Sequence, residues 1–281
     1  MNAEERLAAF YEQLRALGLP VLVMGGHAVR FYGVDRSTLD YDFHVALDAA
    51  DWARLGQTLA RAPALAATPL REGPTWRPDE FRRFIVGALP DGREELLECW
   101  RRNHLLAPFA ELQARRAEGL YGGRTVAFLG LDDLIRSKET EREDDWRDVR
   151  LLEEIADERR LRAAGDGPAA RAAALASLRS RRGFEQARAQ GLLDDAAAVR
   201  TATEGPRQAV ALAFLAPLRA GASLSPPAGT PSAAGEIIGG PLRRVTPGSA
   251  RHLALVEAVR RLLQRAAVLT DRADKERVRP G

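Results

Sequence analysis

"VMGGHAVRFYGVDRSTLDYDFHVAL", residues 23–47, decides how the rest of the chain is read. An apolar run ends in Gly25 and Gly26, thirteen residues intervene, and then Asp40-Tyr41-Asp42 stands inside what otherwise reads as a strand. Aspartate is a poor strand former, and like charges on one strand face repel unless something positive sits between them. Side chains at i and i+2 leave the same face, roughly 7 Å apart at the backbone. Two carboxylates so placed, with no basic residue between them, make a seat for a divalent cation, and hard oxygen ligands favour Mg2+. Gly25-Gly26 falls at a strand-to-helix junction, where backbone N–H groups can approach a phosphate with the help of the helix's positive end. A phosphate cradle facing a carboxylate pair is what phosphoryl or nucleotidyl transfer needs. The plain alternative is a tight turn followed by a surface strand with two solvated aspartates.

The chain's 281 residues suffice for one large domain or two smaller ones. No apolar run is long enough to span a bilayer, and the acidic, amphipathic start "MNAEERLAAFYEQLRALGLP" does not read as a secretory signal. The single Cys99 excludes an intramolecular disulfide, so a cytoplasmic protein is expected. Four histidines, none paired at ligand spacing, argue against a zinc site. The net charge of +3 conceals an asymmetry: residues 160–281 hold 20 Lys+Arg against 10 Asp+Glu, and residues 1–159 hold 22 against 29. A basic back half suits a polyanionic partner. Nearly all the positive charge is arginine, Lys138 and Lys275 being the two lysines.

Periodicity divides the chain in the same place. Leu7, Phe10, Leu14 and Leu17 recur at helical spacing and are stopped by Gly18 and Pro20. "PVLVM" and "DYDFHVAL" read as strands, "HAVRFYG" as a short helix between them, and "DAADWARLGQTLARA" as a helix capped by Asp48. "RRFIVGAL" and "EELLECW", separated by "PDGR", predict a hairpin. "PFAELQARRAE" is helical, "RTVAFL" a strand, and residues 131–164 one or two helices. Residues 1–159 are thus expected to form an α/β (α+β) domain, a mixed sheet with flanking helices. From residue 160 on, "PAARAAALASLRSRRGFEQARAQGLL", "PRQAVALAFLAPLRA" and "SARHLALVEAVRRLLQRAAVL" predict a mainly helical region. A Gly/Pro-rich loop near residues 221–249 and a polar tail complete it.

The string Met24-Gly25-Gly26, thirteen residues, Asp40-Tyr41-Asp42-Phe43 resembles the nucleotidyltransferase superfamily that includes DNA polymerase β and the aminoglycoside nucleotidyltransferases. Gly33, Arg36 and Thr38 also fit a bacterial branch of that superfamily, with the pattern Gly-Gly-x-Ala, Tyr/His-Gly, Arg-x-Thr-x-Asp-x-Asp. The resemblance spans roughly residues 5–158. It implies a metal seat at Asp40 and Asp42, and nucleotide contacts around Gly25, Gly26, Arg36 and Thr38. It also implies a third carboxylate on a neighbouring strand, as metal ligand and general base for the attacking hydroxyl. The matching element "REELLECW" offers Glu95 before Leu96-Leu97, with Glu94 or Glu98 as alternatives in register. Ser37 either touches a phosphate or caps a turn.

In "LDDLIRSKETEREDDWRDVRLLE" the spacing puts Lys138, Arg142 and Asp145 on one helix face, continued by Asp148. The same bacterial branch implies that Lys138 touches the triphosphate while Asp145 and Asp148 orient Lys138 and Arg142; a solvated ladder of ion pairs is the alternative. His27 and His44 read as packing residues. The resemblance therefore implies a Mg2+-dependent enzyme moving an NMP from an NTP, ATP among them, to a hydroxyl acceptor. Abortive-infection type toxins of toxin–antitoxin pairs join such a core to a helical C-terminal half and modify tRNA ends. That resemblance makes RNA a candidate acceptor for the basic region and a cognate antitoxin or toxin a candidate partner. A non-catalytic nucleotide- or protein-binding module on the same fold is the competing reading.

Overall fold

The computed structural model describes residues 2–62, 70–75, 77–140, 142–165 and 167–204. The helices expected at residues 206–220 and 249–269, the loop near 221–249 and the polar tail lie outside the described residues. The chain divides into two compact units, Met1–Ser137 and Lys138–Gly281.

In the first unit, α1 (Ala3–Ala16) begins with a capping box: Asn2 Oδ1 accepts from the Glu5 amide, and the Asn2 amide donates to the Glu5 carboxylate, both at 2.9 Å. Leu7, Phe10 and Leu14, on its apolar stripe, are fully buried. There follow β1 (Val21–Val23), α2 (Gly25–Phe31) and β2 (Asp40–Val45), then the short helices α3 (Ala49–Ala53) and α4 (Leu55–Leu59). Asp48 caps α3 by accepting from the Asp51 amide at 2.7 Å, and the single helix expected here is broken at Arg54. The remaining elements are β3 (Arg71–Glu72), β4 (Phe81–Ala88), β5 (Glu94–Trp100), α5 (Phe109–Ala114), β6 (Ala117–Tyr121), β7 (Arg124–Phe128) and α6 (Leu131–Ser137).

The seven strands make one mixed sheet in the order β3-β4-β5-β2-β1-β7-β6. Strands β2 and β5 run parallel, as do β1 and β7, and the other neighbours are antiparallel. The expected hairpin is β4–β5, closed at Gly92 with a positive φ of 85°. Two strands escaped the sequence reading. β3 is only two residues long, and β6 begins in Ala117 and Glu118, read as the end of a helix: α5 stops at Ala114, and Ala117–Tyr121 pairs with β7 instead. The core between α1 and the sheet includes Phe10, Phe43, Phe128 and Val23, all essentially inaccessible.

Among the described residues the second unit is helical: α7 (Glu143–Ala163), α8 (Pro168–Ser177), α9 (Arg181–Ala189), a 3-10 turn at Leu192–Asp194, and α10 (Ala196–Glu204). α7 runs unbroken through residues 159 and 160, where the charge balance changes sign. The break between α8 and α9 is fixed by Asp157 of α7. Its buried Oδ2 accepts from the Arg179 amide at 2.9 Å, the Ser180 amide at 2.7 Å and the Ser180 hydroxyl at 2.8 Å. A core of Leu161, Leu175, Leu178, Phe184, Leu193 and Val199 closes around it. Among the described residues no helix is long and apolar enough to cross a membrane.

Candidate active site

Parallel pairing of β2 with β5 sets Asp40 beside Leu96 and Asp42 beside Glu98. Register neighbours share a face, so the face carrying Asp40 and Asp42 also carries Glu98. Antiparallel pairing then sets Arg83 of β4 beside Glu98. Arg83, Glu98 and Asp42 form one row across three strands. The Arg83 guanidinium reaches Glu98 Oε1 through Nε at 2.7 Å and Nη2 at 2.6 Å, and Asp42 is the register neighbour of Glu98 on its other side. Burial, and then the charge of Asp42, push the Glu98 carboxyl up to about 8 against the pull of Arg83.

Glu95 is not part of this row. It lies on the opposite face of β5, buried, with its carboxylate forked onto Arg6 of α1 (2.5 Å to Nε, 2.6 Å to Nη2) and accepting from Tyr41 Oη at 3.1 Å. Of the three candidates for a third carboxylate, the first, Glu95, is thus on the face away from Asp40 and Asp42, Glu98 is beside Asp42, and Glu94 is exposed and paired with Arg71. Arg6 and Arg83, which complete the two faces, carried no signal in the sequence that set them apart from other arginines.

The glycine pair belongs to the row as well. Gly25 opens α2 with φ +63°, and a Cβ there would overlap the Asp42 carboxylate at Oδ2. At Gly26 a Cβ would strike the Thr38 hydroxyl and Cβ. The two glycines thus let the start of α2 sit directly on Asp42 and on the loop that leads into β2. That loop is braced by Arg30, whose Nη1 donates to the Arg36 carbonyl at 3.0 Å. Ser37 on it is exposed, Arg36 and Thr38 are half-buried, and Asp40 opens β2 half-buried.

His27 and His44 are buried, and burial lowers both imidazoles to about 4, with Arg30 adding to the effect at His27. His27 stacks on Tyr41 and its Nδ1 hydrogen-bonds the Tyr121 hydroxyl at 2.9 Å. His44 follows Asp42 on the same strand face and packs on Phe109.

In the second unit Lys138, Asp145 and Asp148 come together as the sequence suggests, but not on one helix. Helix α6 ends at Ser137 and α7 starts at Glu143, so Lys138 and Arg142 lie outside helix and Asp145 and Asp148 inside it. Lys138 Nζ is buried, 2.9 Å from Asp145 Oδ1 and 3.3 Å from Asp148 Oδ2. Thr140 Oγ1 donates to Asp145 Oδ2 at 2.6 Å, and Arg142 stays exposed, 3.9 Å from the same oxygen. Burial alone would raise Asp145; Lys138 and the Thr140 hydroxyl outweigh it and hold the carboxyl below its ordinary range.

The donors fit a hard divalent cation in kind: three carboxylates on one face, two of them register neighbours, with Gly25 leaving room for nothing larger than hydrogen against Asp42. Among the described residues, however, no three His, Cys, Asp or Glu side chains converge closely enough to hold a metal ion together. Glu98 is turned toward Arg83.

No family model and no curated protein matches the chain. Solved structures do. A provisionally assigned nucleotidyltransferase from Helicobacter pylori is similar at 14% identity and a TM-score of 0.39, over 99% of this chain and 96% of that one. An antigenic nucleotidyltransferase-like protein from Paracoccidioides brasiliensis is similar at 17% identity and a TM-score of 0.36, over 53% of this chain and 75% of that one.

Proposed function

We propose that this chain is a Mg2+-dependent nucleotidyltransferase that moves an NMP from an NTP to a hydroxyl acceptor. The observation that carries the reading is the contact of Gly25 with Asp42, itself the register neighbour of Glu98, on the strand face that also bears Asp40. Asp40, Asp42 and Glu98 would hold the cation, which when bound neutralises phosphate charge and makes the acceptor hydroxyl more acidic. The backbone at Gly25-Gly26, with Arg36, Ser37 and Thr38 on the adjoining loop, would receive the triphosphate. Glu98 takes the proton of the acceptor hydroxyl as its oxygen bonds the α-phosphorus and pyrophosphate leaves.

The acceptor we favour is an RNA end, tRNA among the candidates, because residues 160–281 hold 20 Lys+Arg against 10 Asp+Glu and phosphate contacts dominate nucleic-acid affinity. A toxin–antitoxin setting, with a cognate protein partner, accords with that acceptor. The grip of Arg83 on Glu98 favours the second reading, a module that binds nucleotide without turning it over.

The test is incubation with Mg2+, each labelled NTP and total bacterial RNA, for the parent and for Asp42→Asn. Label on a discrete RNA band with the parent alone supports the first reading. NTP binding with no label on RNA, protein or small molecules selects the second.

A further inference from the structure

In the row Arg83–Glu98–Asp42, both guanidinium contacts fall on one carboxylate oxygen, Glu98 Oε1. Arg83 is the cationic member of that row, and it stands at the end farther from Asp42. Its side chain is 29% exposed where that of Glu98 is 9%, so it can leave toward solvent while Glu98 stays buried. Its other neighbours are soft: the Phe81 ring, 5.6 Å away, and the edge at Gly73, where a side chain would pack on its stem. A buried carboxylate with a second, half-buried one beside it needs a positive partner, and a flexible arginine supplies one at modest cost in ordering.

We infer that Arg83 is a built-in counter-cation, a positioning residue that holds Glu98 on β4's side in the metal-free protein and cedes it when a divalent cation enters. This rests on the metal-dependent reading above. It also accounts for the turn of Glu98 toward β4. Guanidinium and divalent cation cannot both sit against one carboxylate without repelling each other, so the arginine sets a threshold that the metal must exceed. Once released, the guanidinium stands beside the site with its donors exposed, suited to a phosphate oxygen.

The experiment uses the full-length protein and two readouts. Mn2+ binding followed by spin resonance should be tighter in Arg83→Gln than in the parent by about tenfold or more, since a like charge is removed from beside the ion. Arg83→Lys, which keeps the charge, should stay within about threefold of the parent by the same reasoning. In the parent itself, the Arg83 side-chain N–H resonance, assigned by its loss in Arg83→Lys, should shift and exchange faster with water on saturation with Mg2+. Arg83→Gln binding Mn2+ no more tightly, or an Arg83 resonance unmoved by bound Mg2+, overturns the inference and leaves the nucleotidyltransferase reading standing. No binding of either ion to the parent overturns both.

Discussion

Gly25 is packed against the carboxylate of Asp42, and neither residue can be understood without the other. The glycine has φ +63°, and a Cβ at its position would overlap Asp42 Oδ2. Gly25→Ala should therefore lose about 1–2 kcal/mol to the left-handed backbone and more to the displaced carboxylate. Gly18→Ala is the control, because Gly18 has φ +78° with nothing within 4 Å. Urea denaturation should show a greater loss for Gly25→Ala, and Mn2+ titration should show weakened binding in that variant alone. Equal losses and equal Mn2+ binding would mean that the contact with Asp42 is incidental.

Glu98 and Glu95 should separate cleanly. Glu98→Gln keeps the shape and relieves the repulsion with Asp42, so stability should stay within about 1 kcal/mol of the parent while nucleotide transfer disappears. Glu95→Gln leaves Arg6 and Tyr41 without their anion beneath α1. It should cost about 2–3 kcal/mol, discounted for the partial exposure of Arg6, and leave turnover measurable at low temperature. Melting curves and transfer assays on both variants decide it. The reverse pattern would restore Glu95 to the site.

That pair also marks where sequence reading stops. Alternation along "EELLECW" already says that Glu94 and Glu98 share one face and Glu95 the other. Which parity faces Asp42 depends on pairing between strands more than fifty residues apart, and a slip of one residue exchanges the faces. A bulge between Ile85 and Gly87 then sets which β4 residues meet them. The glycine–aspartate motif was legible because glycine with no Cβ is a local demand of the site. The mixed sheet was legible from periodicity, apart from the two-residue β3 and from β6, whose first residues, Ala117 and Glu118, continue the helical pattern of α5 while the strand's hydrogen bonds go to β7. Likewise Lys138, Arg142 and Asp145 have helical spacing, and only the interruption at residues 138–142 shows that they meet across a turn.

His44 should make the protein acid-sensitive. Its folded imidazole titrates near 4 against an ordinary 6.5, because it is buried. The unfolded chain therefore binds the proton first as pH falls. The contribution to stability is complete above about pH 6.5 and declines as pH drops toward 4, by at most about 1.4 kcal/mol per pH unit. His27 acts in the same window for the same reason. Urea titrations at several pH values should show a shallower decline in His44→Leu than in the parent. Identical slopes would mean that the buried imidazole accepts its proton inside the fold.

Lys138 is the sharpest test of whether helical charge spacing reports function or architecture. Its ammonium is buried between Asp145 and Asp148, and Thr140 supports Asp145 from the other oxygen. Removing one partner of a buried cluster leaves charge without compensation. Lys138→Ala should lose about 3–5 kcal/mol, and Lys138→Met nearly as much, although it restores the apolar stem. Combining Lys138→Met with Asp145→Asn and Asp148→Asn should recover most of the loss, because the carboxylate charges that the ammonium offsets are gone as well. Denaturation midpoints for these four proteins, read beside NTP affinity, distinguish the two roles. If Lys138→Ala keeps parental stability and weakens NTP binding instead, the ammonium serves the triphosphate and the aspartates merely aim it. If stability collapses and the triple variant both refolds and binds NTP like the parent, the cluster fastens residues 138–148.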